Sequence, residues 1–225
     1  NAKFVAIFSG GIMEKFCKDK NIKSYKIHEE HSPRASFLGF LYSTLNILEQ
    51  IIPVKKIDID KSIQSLFNLQ RIISSENLNE TNEALQIAQW IKEIPMVYYP
   101  SGLQSTAIRF KNSMQENAKT HVMTEDVIEA CHNGIVAWDK PKNVQPILIQ
   151  GKDDYEKTKE RWKIIKDLFH EKNIPYKEIF SQEGSILNKI VCLIYLLDYA
   201  SIYNAIISKT DPTPIKSIDF IKKRL

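Results

Sequence analysis

Apolar runs of strand length alternate with helical patterns along most of this chain. The four clearest runs are KFVAIFSGG from residue 3, MVYYPSG from residue 96, QPILIQG from residue 145 and PYKEIFS from residue 175. Apolar runs of this kind are typical of strands that are buried on both faces of a sheet. Strands that alternate with helices of about ten residues or more are joined by crossover connections. The sequence therefore predicts an α/β fold with parallel sheets flanked by helices.

This pattern occurs in two blocks, separated by the polar stretch SSENLNETNE at residues 74–83. A polar segment of this composition is typical of a loop or linker. We therefore predict two similar subdomains, residues 1–82 and residues 83–225. The second block has three clear strands, whereas the first has two strands followed only by helices, predicted at residues 35–52 and 61–77. Because the opening strand starts at residue 3, we expect the first subdomain to be incomplete at its N-terminus.

The composition is that of an ordinary globular protein. The 225 residues are 43% hydrophobic and 26% charged, which is enough to bury a core. The 31 basic and 27 acidic residues give a net charge of +4, and both signs are interspersed along the chain. Proteins that bind nucleic acid usually have a clustered basic face, so we expect no nucleic-acid partner. The slight positive excess suits an anionic small molecule.

The cysteines and the most apolar segment bear on the compartment. Cys17, Cys131 and Cys192 are far apart in sequence, without zinc-site spacing or a disulfide framework. We therefore expect no metal site and a reducing cytoplasmic location. The run from Ile190 to Ile207 has apolar side chains on every face, and polar residues interrupt it. This pattern favours a helix buried in a core or interface, so we expect no membrane partner.

A carboxylate and an imidazole stand out between Arg109 and Asp139. Glu116 lies in the polar sequence QENAK, near the end of a helix that 3.6-residue periodicity predicts over residues 103–120. His132 lies in CHN and begins HNGIVAW, which we predict to be extended or mixed structure. A carboxylate and a histidine are sufficient for proton transfer near neutral pH. On spacing alone, however, an exposed helix glutamate and a satisfied histidine at the start of a strand are the commoner interpretation.

Six segments spread over the chain carry a family resemblance. In chain order they are FSGG, SPRAS, YYPSGLQSTAIRFKNSMQENAK, EACHNGIVAW, LLDYASIYNAI and DPTPIKSIDFIKKRL. Together, in this order and spacing, they resemble the bifunctional phosphoglucose/phosphomannose isomerases of the sugar isomerase (SIS) domain superfamily. The resemblance covers essentially all of the chain. It implies a two-subdomain SIS fold and the isomerisation of an aldose phosphate to a ketose phosphate, with no metal or organic cofactor.

The resemblance also implies roles for individual residues. Glu116 would be the base that moves a proton between the first two sugar carbons through a cis-enediol. His132 would open the sugar ring, and in this family the histidine comes from the neighbouring subunit, so a homodimer is implied. Arg34, in SPRAS, would stabilise the negative charge of the enediolate.

Four further positions are less specific. Lys222 best matches the family lysine in the final helix, with a role in ring opening and charge stabilisation, and Lys216 is the second match. Lys222 equally fits a solvated lysine at the end of a helix. Arg34, Arg109 and Lys216 are the expected substrate-binding residues, and Arg109 could also position Glu116. Asp198, in the apolar helix, is interpreted as a satisfied buried acid.

Two features depart from the family pattern. The family binds phosphate through a Ser-x-Ser-Gly-x-Thr loop upstream of the first strand seen here, and that loop is not among these 225 residues. In addition, Gly134 follows His132 and Asn133 where the family commonly has glutamate. Two alternatives to an active isomerase therefore stay open: a sugar-phosphate-binding SIS module with little turnover, and a small-molecule carrier of unrelated α/β type.

Overall fold

The structure, a computed structural model, describes residues 4–28, 30, 32–140 and 143–225. The chain divides into two compact units, residues 1–60 and 61–225. The subdomain boundary predicted after Asn82 stays a prediction.

The first unit contains a small parallel sheet and its helices. Its elements are β1 (Val5–Phe8), α1 (Gly11–Asp19), β2 (Lys23–Lys26), a 3₁₀ turn (Pro33–Ser36) and α2 (Phe37–Ile47). Strands β1 and β2 pair in parallel. The predicted Gly-Gly turn after β1 is present, with Gly11 at φ 74, a value that glycine adopts without strain. Lys3 and Glu29, at the ends of the two predicted strands, lie outside the described residues.

The helix predicted at residues 35–52 is shorter than expected. It begins as the 3₁₀ turn, and α2 ends at Ile47. Turns follow in which the N–H groups of Ile51 and Ile52 donate to the Leu48 carbonyl. The residue before a proline is disfavoured in the helical conformation, so Pro53 requires the helix to stop before Ile52.

The second unit is built on a four-stranded sheet. Its elements are α3 (Lys56–Ile73), which begins at the end of the first unit, α4 (Glu83–Trp90), β3 (Ile94–Tyr99), α5 (Gln104–Ser113), a π turn (Met114–Ala118), β4 (Met123–Asp126), α6 (Val127–Ala130), a 3₁₀ helix (Gly134–Asp139), β5 (Val144–Gln150), α7 (Glu156–Glu171), β6 (Lys177–Phe180), α8 (Ile186–Ile207) and α9 (Lys216–Lys222). The strand order is β4-β3-β5-β6, and every pair is parallel. The predicted α/β class with parallel sheets flanked by helices is confirmed.

Helices cover both faces of this sheet. On one face, Tyr98 and Leu148 pack in a buried cluster with residues of α6, the 3₁₀ helix and α7, including Trp138 and Phe169. Successive strand residues point to opposite faces, so Val97 and Ile147 face the other side. Both are fully buried. On that side α4 and α5 pack against α8.

The structure differs from the sequence-based expectation around β4. Met123–Asp126 forms an edge strand paired with β3 that the sequence pattern did not reveal, because Thr124, Glu125 and Asp126 are polar and only half-buried. The segment HNGIVAW, predicted as extended or mixed structure, folds as a turn and the 3₁₀ helix. The Trp138 indole N–H donates to the Tyr98 hydroxyl over 2.7 Å and ties this helix to the sheet.

Helix α8 is the expected buried helix. Most of its residues are buried, and it contacts α4, α5 and the π turn. Length and composition alone would let α8 cross a membrane, and 61% of its most apolar stretch is buried inside the protein. This burial is what a core helix requires.

The segment predicted as a linker is held by a buried asparagine. Asn82 is fully buried, and its Oδ1 caps α4 by accepting from the Leu85 N–H over 2.9 Å. Its Nδ2 donates to the carbonyls of Ile73 (3.1 Å) and Asn77 (2.8 Å). The Tyr203 hydroxyl of α8 also donates to the Ile73 carbonyl, over 2.7 Å. Residues 74–82 therefore form a tight connection between α3 and α4.

We predict that Asn82→Ala lowers the free energy of unfolding by about 2–4 kcal/mol, because it removes a helix cap and the side-chain donor to the Asn77 carbonyl. Urea denaturation measures this. Asn68→Ala on the exposed face of α3 is the control and should change stability by less than about 0.5 kcal/mol. Equal effects of the two substitutions would contradict the structural role of Asn82.

Candidate functional site

Glu116 lies in a π turn instead of the continuous helix predicted over residues 103–120. Helix α5 ends at Ser113, and residues 114–118 form one wider turn. The turn closes at Lys119, which has φ 57 and donates its N–H to the Met114 carbonyl. Glu116 is half-exposed, whereas the other residues of the turn, except Gln115, are buried. Such turns are rare and occur frequently at functional sites.

A carboxylate of α8 contacts the end of α5 just before this turn. The Arg109 Nε lies 3.2 Å from both Asp198 carboxylate oxygens, and its Nη2 lies 2.8 Å from Oδ2. The Ser113 hydroxyl donates to Asp198 Oδ1. The side chains of Arg109 and Asp198 are 22% and 24% exposed, so solvent screens this pair less than a surface pair. The sequence-based interpretation of Asp198 as a satisfied acid fits these contacts.

A second pair of polar residues joins the π turn to α8. The buried Asn117 donates from Nδ2 to the Ser201 hydroxyl over 2.8 Å. The Ser201 hydroxyl donates in turn to the Asp198 carbonyl over 2.6 Å. Asn117 and Ser201 were not among the predicted site residues. The available signal was the spacing of Asp198 and Ser201, three residues apart on one face of an apolar helix.

The C-terminal segment approaches the same turn. The Lys119 ammonium donates to the Glu116 carbonyl and lies 3.4 Å from the Pro212 carbonyl. Pro212 precedes α9, which carries Lys216 and Lys222, both exposed. The fold thus brings the start of the final helical segment close to the turn that carries Glu116.

His132 lies in a turn after α6, exposed to solvent. Its N–H donates to the Glu129 carbonyl over 2.9 Å. The next residue, Asn133, donates from Nδ2 to Glu129 Oε1 over 2.8 Å. The predicted position at a strand start is wrong, because β4 has already ended at Asp126 and a helical turn intervenes.

The fold separates Glu116 from His132 within one chain. Helix α5 and the π turn join the parallel strands β3 and β4. Glu116 therefore lies near the end of the sheet at which the strands begin, just before β4. His132 follows the opposite end of β4. Moreover, α5 and the π turn pack with α8, whereas α6 and the 3₁₀ helix pack in the Tyr98 cluster. The connection from β3 to β4 and the connection from β4 to β5 cross the sheet in opposite directions. Because both crossovers are right-handed, they lie on opposite faces of the sheet.

Gly134 is packed against a carboxylate of the edge strand. A Cβ at this position would collide with the Glu125 carboxylate group, whose Cδ would be only 2.7 Å away. Burial, together with the neighbouring Glu129 carboxylate, raises the pKa of Glu125. The family resemblance implies a glutamate at position 134, where this chain has glycine. In this chain the carboxylate next to that position is that of Glu125 in β4.

Arg34 belongs to the first unit. It lies in the Pro33–Ser36 turn and is half-buried. In the second unit, a cavity of about 30 Å³ lies between Leu69, Glu83, Phe180 and α8. This volume is enough for about one water molecule and far too small for a sugar phosphate. Across residues 4–28, 30, 32–140 and 143–225, no group of three or more His, Cys, Asp or Glu side chains is placed to hold a metal ion.

Comparison with known proteins identifies the family. Residues 80–225 match the family model of the bacterial phospho-glucose isomerase C-terminal SIS domain. The chain belongs to this family. The bifunctional phosphoglucose/phosphomannose isomerase of Caldicellulosiruptor bescii is 30% identical over 234 residues, which cover 100% of this chain and 68% of the relative. The enzyme of the same name from Aquifex aeolicus is 25% identical and matches 99% of this chain and 68% of the relative.

A solved structure shows the same fold. A glucose-6-phosphate isomerase like protein from Thermus thermophilus superposes with a TM-score of 0.65 at 13% identity, covering 92% of this chain and 73% of that one. The predicted membership of the phosphoglucose/phosphomannose isomerase family is confirmed. This SIS-domain chain is an isomerase-like enzyme.

We predict that Gly134→Ala destabilises this SIS domain by about 0.5–1 kcal/mol, because the new methyl group has to displace only the flexible end of the Glu125 side chain. Thermal or urea denaturation of a double-mutant cycle measures this. In a Glu125→Ala background the same substitution should be neutral or slightly stabilising, since alanine favours helix over glycine. A penalty of equal size in both backgrounds would contradict the proposed contact.

Proposed function

We propose that this chain isomerises glucose 6-phosphate and mannose 6-phosphate to fructose 6-phosphate, with Glu116 as the base. The observation that carries this proposal is the Glu116 turn. Glu116 is a half-exposed carboxylate on a π turn. Ser113 before it and Asn117 after it are hydrogen-bonded to the buried helix α8. The chain belongs to the phospho-glucose isomerase family. A fixed carboxylate that can still reach solvent is suited to take a proton from a bound substrate.

The proposed reaction moves one proton from C2 to C1 and one from O2 to O1, and it balances without a cofactor. In the open-chain aldose, the Glu116 carboxylate removes the proton from C2, and the C1 carbonyl oxygen takes up the electrons and a proton to give a cis-enediol. The O2 hydroxyl then loses its proton as the C2 carbonyl forms, and the carboxylic acid of Glu116 returns its proton to C1. Net charge is unchanged. Because no electrons leave the sugar, no redox partner is required.

Cationic residues would stabilise the charge that develops on the oxygens. Arg34 is the proposed partner of the enediolate, since a guanidinium offers several donors in a fixed plane. Lys222, or Lys216, would assist ring opening, and the contact between Lys119 and Pro212 supports an approach of their segment to the Glu116 turn. Arg34, Arg109 and Lys216 stay proposed substrate contacts. We expect the reaction to occur in the cytoplasm.

A site that uses both Glu116 and His132 requires a second copy of the chain. The two residues lie on opposite faces of one sheet, at opposite ends of β4, so they cannot meet within one chain. We therefore propose a homodimer in which His132 of one subunit transfers the proton between the ring oxygen and the anomeric hydroxyl at the other subunit's Glu116.

We predict that Glu116→Gln in the full-length protein lowers kcat by about 10³-fold or more, because an amide cannot accept the proton. A coupled assay with fructose 6-phosphate measures turnover. Solvent deuterium uptake at the transferred position should fall in parallel. Glu160→Gln, an exposed glutamate on α7 paired with Lys157, is the control and should retain full activity. An unchanged rate in Glu116→Gln would remove Glu116 as the base.

The same assay tests the binding-module alternative. If the unsubstituted protein binds fructose 6-phosphate but neither isomerises it nor exchanges its carbon-bound proton, the chain is a sugar-phosphate-binding SIS module, and the catalytic proposal is wrong.

We predict that two inactive variants, Glu116→Gln and His132→Ala, restore activity when their subunits are mixed. In a mixed dimer one site has both native side chains, so random exchange should recover about a quarter of the native rate. Activity after co-refolding or co-expression measures this. No recovery, with mixed dimers verified by mass spectrometry, would exclude His132 from the neighbouring subunit's site.

A further inference from the structure

We propose that Asp198 is a positioning residue for catalysis, which fixes Glu116 through Arg109, Ser113 and the π turn. This inference rests on the proposed role of Glu116 as the base. Asp198 itself does not touch the substrate in this proposal. Its function is to hold the end of α5 and the beginning of the π turn against α8.

The first argument is the geometry of the π turn. A π turn contains one residue more than an α-helical turn and is usually a single turn. In this turn the N–H groups of Lys119 and Thr120 converge on a single acceptor, the Met114 carbonyl. No helix continues beyond Lys119, so side-chain contacts to neighbouring elements can fix the direction of Glu116.

The second argument is the arrangement of those contacts. Asp198 accepts from Arg109 and Ser113, which precede the turn. One helical turn later, Ser201 accepts from Asn117, which follows Glu116 directly, and donates to the Asp198 carbonyl. The same short stretch of α8 thus binds the chain on both sides of Glu116.

The third argument is the surroundings of Asp198. Its neighbours Leu196, Leu197 and Ala200 are buried apolar residues. A carboxylate in such a helix loses hydration, and charge-assisted bonds from Arg109 and Ser113 offset that loss. An apolar residue would serve packing equally well. A charged residue here gives directional bonds, which a positioning role requires.

The test compares Asp198→Asn with Glu178→Gln in the full-length protein. The amide oxygen of asparagine cannot satisfy three donors, and its NH₂ group faces the Arg109 guanidinium. Glu178 is the matched control: it forms an ion pair with Lys166 at 3.0 Å, with side chains 28% and 29% exposed. It also accepts from Gln150, and it lies on β6. Both substitutions are isosteric and remove one charge from a partly buried pair.

We expect Asp198→Asn to lower kcat for fructose 6-phosphate isomerisation by about 10- to 100-fold, because a small displacement of a base slows proton transfer. KM should rise by a much smaller factor, through the altered Arg109 contact. Glu178→Gln should leave kcat within about twofold of the native value. Hydrogen exchange at the Lys119 and Thr120 amides should accelerate in Asp198→Asn alone. Equal kcat values for the two variants would overturn the proposal.

Two further variants separate the possible failures. If Asp198→Asn does not fold, Ser201→Ala is the deciding variant, because it removes the hydroxyl that links Asn117 to the Asp198 carbonyl. A lower kcat at unchanged thermal stability supports the proposal. An unchanged kcat overturns it. If Glu116→Gln keeps its activity, the base assignment falls and this inference falls with it. If Glu116→Gln is inactive while Asp198→Asn behaves as Glu178→Gln does, only the positioning role is lost.

Discussion

Because the four strands of the larger sheet all run in the same direction, each connection must return from one end of the sheet to the other. Right-handed crossovers then decide which face each connection covers. Helix α5 and the Glu116 turn return on the face occupied by α8, and the His132 segment returns on the face of the Tyr98 cluster. The placement of the two proposed proton carriers thus follows from strand direction. For the same reason, the proposed site that combines both residues would need a second subunit.

The apolar helix α8 has two functions that demand different residues. Its Leu, Ile, Val and Ala side chains form the core with α4 and α5, and hydrophobic burial favours such residues at every inward position. Asp198 and Ser201 depart from this preference only where α8 faces the end of α5 and the π turn. A purely apolar helix could pack there, but its side chains could not accept hydrogen bonds from Arg109 and Asn117. Asp198 and Ser201 therefore lie at the part of α8 that contacts the π turn, whereas the buried Asn204 of α8 donates to the Ala88 carbonyl in α4.

Much of the fold could be predicted from the sequence, because strands buried on both faces leave a strong apolar signal. β3 and β5 were predicted within about two residues at each end. β4 was not, since Thr124, Glu125 and Asp126 are half-exposed at the sheet edge and give no such signal. The π turn was also missed. The 3.6-residue periodicity of residues 103–113 continues smoothly into QENAK, and the turn depends on contacts with Asp198 and Ser201, which are far away in sequence.

The Glu125–Gly134 contact shows how a missing side chain can be replaced from another element. A glutamate at position 134 would bring its carboxylate from the flexible end of a turn. In this chain the carboxylate comes from β4, where pairing of Glu125 with Tyr98 fixes the backbone. The Trp138 bond to the Tyr98 hydroxyl fixes the other side of the same segment. Glu125 contacts Gly134 and Tyr98 binds Trp138, and these two strand residues are paired across β3 and β4. A shift in the β3–β4 register would therefore displace the whole segment that follows His132. The placement of His132 is therefore tied to strand pairing, and through it to the packing of the whole sheet.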